Sequence, residues 1–251
     1  DQCPVVRCPG RVHPVAIEYR GVDGRRLADE VAAAVRAQCA ATADGDVLVF
    51  LPGVAEIRRA GDALAARGVD RDVEVLALHG ELALEAQRRV LRPASRSDRR
   101  RVILSTNVAE SSVTVDGVTA VVDSGLARIP EFDAGRGIER LRTLPISVAA
   151  ADQRAGRAGR QAPGRCLRLW STSDHAARRQ REIPEIRRLD LTTTVLELCA
   201  WGLAGSGGAG KRSICSPSRV TRPSPSRASR FRSNRSAASK APAGGGSSHS
   251  K

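Results

Sequence analysis

Four short apolar runs, at residues 47–51, 73–78, 101–105 and 118–123, alternate with segments of helical period at 25–41, 54–67 and 81–92. Two consecutive strands can run parallel only if the chain crosses back between them, and a helix is the usual crossover. The alternation therefore predicts an α/β domain with a central parallel sheet flanked by helices. Residues 125–145 break the pattern, because Gly125, Pro130, Gly135, Gly137 and Pro145 punctuate short apolar stretches there. That spacing predicts a β-hairpin insertion. A final apolar-periodic stretch, Leu189 to Leu203, predicts a helix that packs on the domain or leads out of it through Leu191, Val195, Leu198 and Leu203.

Two stretches carry candidate chemistry. Residues 153–160 read Gln-Arg-Ala-Gly-Arg-Ala-Gly-Arg. If 149–160 is helical, Gln153, Arg157 and Arg160 share one face and Arg154 lies about 100° away around the axis. Gly156 and Gly159 cost about 1 kcal/mol each in a helix relative to Ala, so another backbone or a phosphate is expected to approach closely. A guanidinium is a permanent charge with a rigid donor fork that matches phosphate oxygens. Taken alone, the segment reads equally well as a solvated basic face. Upstream, Arg101–Ser105 opens into Thr106, Asn107 and a short helix from Ala109. The carboxyl end of a parallel strand, beside the free N–H groups of a helix start, is where α/β proteins bind phosphates. Asp116-Gly117 follows as a turn, its carboxylate placed to accept from a ribose hydroxyl or to cap locally.

In this order the two stretches resemble motifs V and VI of the DEAH-box helicases of superfamily 2. Val47 to Gly53, followed by Glu56-Ile57, is similar to motif IV of that family, and Leu78-His79-Gly80-Glu81-Leu82 to the next motif along. Asp123 to Arg128, with Pro163-Gly164-Arg165-Cys166 and Leu169-Trp170, resembles the HrpB-type members in particular. The resemblance covers about residues 11–203 and implies a RecA-like, P-loop NTPase-type fold, second of the two that such helicases carry. It implies that Arg157 and Arg160 are arginine fingers on the γ-phosphate of ATP, that Gln153 positions the attacking water or a phosphate oxygen, and that Asp116 meets the ribose. It also implies that Thr106, Asn107 and the backbone at Gly53 grip the phosphates of single-stranded nucleic acid, RNA rather than DNA, and that the hairpin separates strands. Arg154 is expected in an intradomain salt bridge. ATP and Mg²⁺ are the implied cofactors, with the metal's ligands expected in a first RecA-like domain, the implied partner. The expected organisation is a lead-in at 1–20, the second RecA-like domain at 21–188, a helix at 189–204 and a disordered tail at 205–251. A non-enzymatic nucleic-acid-binding module and a superfamily 2 DNA translocase are the competing functions.

The chain has no methionine, as expected of a fragment or a processed protein. Gly205, Gly210 and Lys211 have the spacing of a phosphate-binding loop, but position 212 is Arg where Ser or Thr is needed for magnesium, and the stretch follows a helix rather than a strand. Asp29-Glu30 lies in an alanine-rich helical run and is no magnesium motif. The chain alone is therefore expected to hydrolyse ATP at background. Its six cysteines show no CxxC pair and its four histidines no zinc spacing, so metal sites and disulfides are not expected. No apolar run reaches the roughly 18 residues of a membrane span, and a cytoplasmic location is expected. Of the net charge of +14, the tail from Gly205 carries +10. That tail is rich in Ser, Arg, Pro and Gly, and holds all three lysines of the chain. It cannot bury enough to fold. It reads either as a nonspecific nucleic-acid-binding extension or, more readily, as a reading-frame departure.

Overall fold

The computed structural model describes residues 13–201 apart from 22–23, 25, 42–43, 94–98, 112 and 134. The tail and the first twelve residues lie outside the described residues. Described residues up to Asp190 form one unit and those from Leu191 a second. In chain order the first unit contains β1 (Val15–Tyr19), α1 (Leu27–Ala41), β2 (Asp46–Phe50), α2 (Val54–Ala66), β3 (Glu74–Leu78), α3 (Leu84–Leu91), β4 (Arg101–Ser105), α4 (Val108–Ser111), β5 (Val118–Asp123), β6 (Leu126–Asp133), β7 (Ile138–Pro145), α5 (Val148–Ala155), β8 (Gly164–Arg168) and α6 (Thr172–Ala177). The second contains α7 (Thr192–Ala200).

Six strands form one sheet in the order β1-β8-β5-β2-β4-β3, all parallel. β2 and β4 are buried at every position and β5 at all but one. Such strands lie between two helical layers and so read as unbroken apolar runs. Successive side chains point to opposite faces. Val47 and Val49 join Val31, Val35, Ile57 and Leu64 of α1 and α2 in one core. Leu48 and Phe50 join Val90, Ala109, Ala155 and Ala158 on the other face. β6 and β7 pair antiparallel from Leu126↔Pro145 to Asp133↔Ile138. This is the predicted hairpin, seated on a third cluster of Ala127, Ile146, Ala150, Ala151 and Trp170.

Three expectations are corrected. Val15–Tyr19, inside the stretch read as a lead-in, is the edge strand of the sheet, registered on β8 from Val15↔Gly164 to Tyr19↔Arg168. Polar Glu18 and Arg165 hid this strand pair, and they meet each other across it in a 2.6 Å ion pair. The helix expected over 149–160 stops at Ala155, after which Arg157, Ala158 and Gly159 donate to the carbonyls three residues back. Glycine at 156 and 159 leaves the longer helix too weak to hold. In the second unit α7 is shorter than Leu189–Leu203, and none of its residues is buried. Among the described residues, no helix is long and apolar enough to cross a membrane.

Candidate functional site

The loops at the carboxyl edge of the sheet place the first group of candidates. Leu51 donates to the Ser105 carbonyl at 2.8 Å and Thr106 to the Leu78 carbonyl at 3.1 Å, so the loops after β2, β3 and β4 are tied side by side. Gly53 is the buried residue that opens α2. A Cβ at Gly53 would sit 3.2 Å from the guanidinium of Arg128 and 3.0 Å from Glu56 Oε2. The Arg128 head from the hairpin therefore lies over the start of α2, beside free N–H groups and the positive end of the helix dipole. Thr106 is half-buried and Asn107 exposed. Arg128 is a residue that sequence reasoning left without a role. Its only signal was its place in the Asp123–Arg128 stretch.

The second group lies along the segment from α4 to β5. The Thr106 and Asn107 carbonyls accept from Ala109 and Glu110 and start α4. Arg157, buried, donates to the backbone carbonyls of Val113 at 3.0 Å and of Glu110. Exposed Arg160 donates to the Thr114 hydroxyl at 2.7 Å. Gln161 Nε2 donates to Asp116 Oδ1, and its Oε1 accepts from Gly117 N–H, both at 2.9 Å. Contacts at 110, 113, 114, 116 and 117 thus gather Arg157, Arg160 and Asp116 on one segment. The Asp116-Gly117 turn is present, with Gly117 at φ 87°. The Asp116 backbone carbonyl accepts from buried Arg101 at 3.0 Å. Gln153 lies exposed on α5, and the end of the helix at Ala155 removes the common face it would have shared with Arg157 and Arg160.

Charge separates the arginines of this motif into two kinds. Arg154 is fully buried, donating from Nε to Glu110 and from Nη1 to Asp123, each at 2.9 Å, with its guanidinium 4.8 Å from the Phe50 ring centroid. Burial opposes its charge, but Asp123 and Glu110 more than offset that and raise its pKa. The expected intradomain salt bridge is therefore in place. Arg157 is the opposite case, its pKa lowered first by burial and then by the charge of Arg160, with Glu110 pulling the other way. Arg157 stays charged beside a second guanidinium with, among the described residues, no carboxylate between them, an arrangement that suits an anion. Among the described residues, no cluster of three or more His, Cys, Asp or Glu side chains is placed to hold a metal.

The two glycines of the motif behave differently. A Cβ at Gly159 would sit 2.6 Å from the His13 carbonyl oxygen and 2.7 Å from Val15 Cγ2. The chain leading into β1 makes that close approach, and His13 donates to the Gly159 carbonyl at 2.9 Å. Gly156 has only its own turn nearby, at 3.4 Å.

Residues 30–162 match the family described as "Helicase conserved C-terminal domain". Over 201 residues the chain is 38% identical to the ATP-dependent RNA helicase HrpB of Escherichia coli, covering 80% of this chain and 25% of that protein. It is also 38% identical over 210 residues to the ATP-dependent RNA helicase HrpA of the same organism, covering 81% and 16%. The crystal structure of the E. coli DExH-box NTPase HrpB superposes with a TM-score of 0.70 at 40% identity, over 77% of this chain and 24% of that one. The chain thus spans a quarter or less of the length of these relatives.

Proposed function

Because the chain belongs to the helicase conserved C-terminal domain family, on its DEAH-box, HrpB-type branch, we propose that it is the second RecA-like half of an ATP-dependent RNA helicase. Its partner is a first RecA-like domain of the same protein, which supplies the phosphate loop and the magnesium ligands. Arg157 and Arg160 contact the γ-phosphate across the cleft between the two domains, where arginine stabilises the charge of phosphoryl transfer. Gln153 positions the attacking water or a phosphate oxygen. Asp116 accepts from the ribose through the carboxylate that Gln161 holds in place. Thr106, Asn107 and the α2 start at Gly53, with Arg128 above it, hold the phosphates of single-stranded RNA. Such contacts grip backbone rather than read sequence.

The observation that carries this reading is the short helix α4. Its first turn grows out of Thr106 and Asn107, while Glu110 at its far end receives both Arg154 and Arg157. Strand grip and arginine turn thus share one four-residue element. Movement of either is felt by the other.

The test is nucleic-acid-stimulated ATP hydrolysis by the chain fused behind the first RecA-like domain of E. coli HrpB, wild type against Arg157→Ala. A loss of about 10³-fold or more is expected. Little change would reduce Arg157 to a tie between α5 and the 110–113 carbonyls. The unfused chain is expected to stay at background, because it contains no phosphate loop of its own.

A further inference from the structure

We infer that residues 178–188 form a strap that ties the β6–β7 hairpin to the first turn of α5, so that Arg178, Glu182 and Arg188 are positioning residues for the arginine-bearing turn. What the strap couples rests on the helicase reading above. That a physical tie exists does not.

A helix start leaves its first N–H groups without partners in the helix. In α5 the Ser147 hydroxyl takes Ala150 N–H at 3.2 Å, and strap backbone takes the two before it: Val148 N–H donates to the Arg179 carbonyl at 2.9 Å and Ala149 N–H to the Gln180 carbonyl at 3.1 Å. Ser147 N–H donates to Glu182 Oε1 at 2.6 Å. A carboxylate there also suits the positive end of the helix dipole.

Both ends of the strap hold the hairpin. Arg178 Nη1 donates to the Gly125 and Ile146 carbonyls, 2.9 Å each, which flank β6 and β7, and its guanidinium lies 4.2 Å from the Trp170 ring centroid. Further along, Arg188 Nη1 donates to the Pro130 carbonyl at 3.0 Å and Nε to the Ile183 carbonyl at 2.8 Å, while Phe132 N–H donates to the Arg188 carbonyl at 3.0 Å. Arg188 thus folds the strap on itself and pins it to the middle of β6. A hairpin displaced by duplex would pull on the carbonyls that complete α5. That helix carries Arg154 and leads directly into Arg157 and Arg160.

The test is amide hydrogen exchange on the full chain, comparing wild type with Arg188→Ala. Arg188→Ala keeps the carbonyl that Phe132 uses but removes the two side-chain hydrogen bonds that pin the strap. Loosening worth one ordinary hydrogen bond predicts about five- to tenfold faster exchange at Phe132, and the tie predicts acceleration also at Val148 and Ala149, with Ile103 of β4 unchanged. Acceleration confined to Phe132, or absent at both places, overturns the inference. Coupling is reciprocal, so Glu182→Ala must speed exchange at Phe132, whereas Glu182→Gln, which keeps an oxygen for Ser147, must stay near wild type. If Arg188→Ala speeds Ile103 as well, the Glu182 pair decides alone. In the fused, ATPase-competent protein, Arg188→Ala is expected to unwind several-fold fewer base pairs per ATP while hydrolysis persists, and an unchanged ratio overturns the coupling. Failure of the helicase reading would show separately, as a wild-type fusion without nucleic-acid-stimulated hydrolysis.

Discussion

Arg101 and the Arg157–Arg160 pair both reach the chain just ahead of β5, and they use their donors in opposite ways. Arg101 is enclosed, giving Nε and Nη2 to Asp46 at 2.8 and 2.5 Å, Nη1 to the Val90 and Arg92 carbonyls, and Nη2 again to the Asp116 carbonyl. Its charge is matched by a carboxylate as buried as itself. Arg157 and Arg160 touch carbonyl and hydroxyl oxygens, and among the described residues neither forms a salt bridge. The matched arginine locks the edge of the sheet and holds the Asp116 turn. The unmatched pair is held through its guanidinium Nη atoms by neutral oxygens, with no carboxylate among the described residues to balance its charge.

The comparison breaks most sharply at Asp46. Asp46→Ala leaves the Arg101 guanidinium buried without a counter-charge and should cost about 3–5 kcal/mol of stability, measured by denaturant unfolding of the chain. Arg160→Ala, at an exposed site, should move the same midpoint by no more than about 0.5 kcal/mol. Similar losses for both would erase the distinction between arginines with and without a buried counter-charge.

A smaller contrast separates the two glycines of the arginine motif. Gly159→Ala forces a methyl group against the His13 carbonyl and should cost about 1–3 kcal/mol. Gly156, in right-handed helical backbone at φ −58° and with only ordinary contacts, should accept Ala neutrally or with a gain of up to about 1 kcal/mol. Equal costs would mean that the β1 approach is not what demands glycine.

The smallest expected effect is a pH dependence at the hairpin base. The pKa of His175 is lowered first by burial and next by the charge of Arg168, with Asp152 opposing and Arg178 adding. A lowered folded pKa stabilises above the unfolded value of about 6.5 and loses that contribution as pH falls through the folded value. The unfolding midpoint should therefore drop on acidification below pH 6.5, and His175→Phe, which keeps a ring against Trp170, should flatten that part of the slope. An unchanged slope would remove His175 from the account.

The parts of the fold that could be read from the sequence are those buried on both faces. β2, β4 and β5 need apolar residues throughout because helices cover both sides. β1 and β8 were not legible, because Glu18, Arg165 and Arg168 find their partners across the sheet and on α5. The hairpin was visible through its glycines and prolines. The strap was not, because its contacts run through backbone carbonyls and three polar side chains with no period.

The sequence by itself determined the α/β alternation, the hairpin and the motifs that place the chain in its family, since each rests on residues close together along the chain. Tertiary structure decided which partners each arginine meets. Arg154 and Arg157 are neighbours in one motif, yet Arg154 turns into Asp123 and Glu110 while Arg157 turns onto bare carbonyls. That choice depends on where carboxylates from other strands and helices come to lie, and on how little water reaches them. Local spacing carries no information about either.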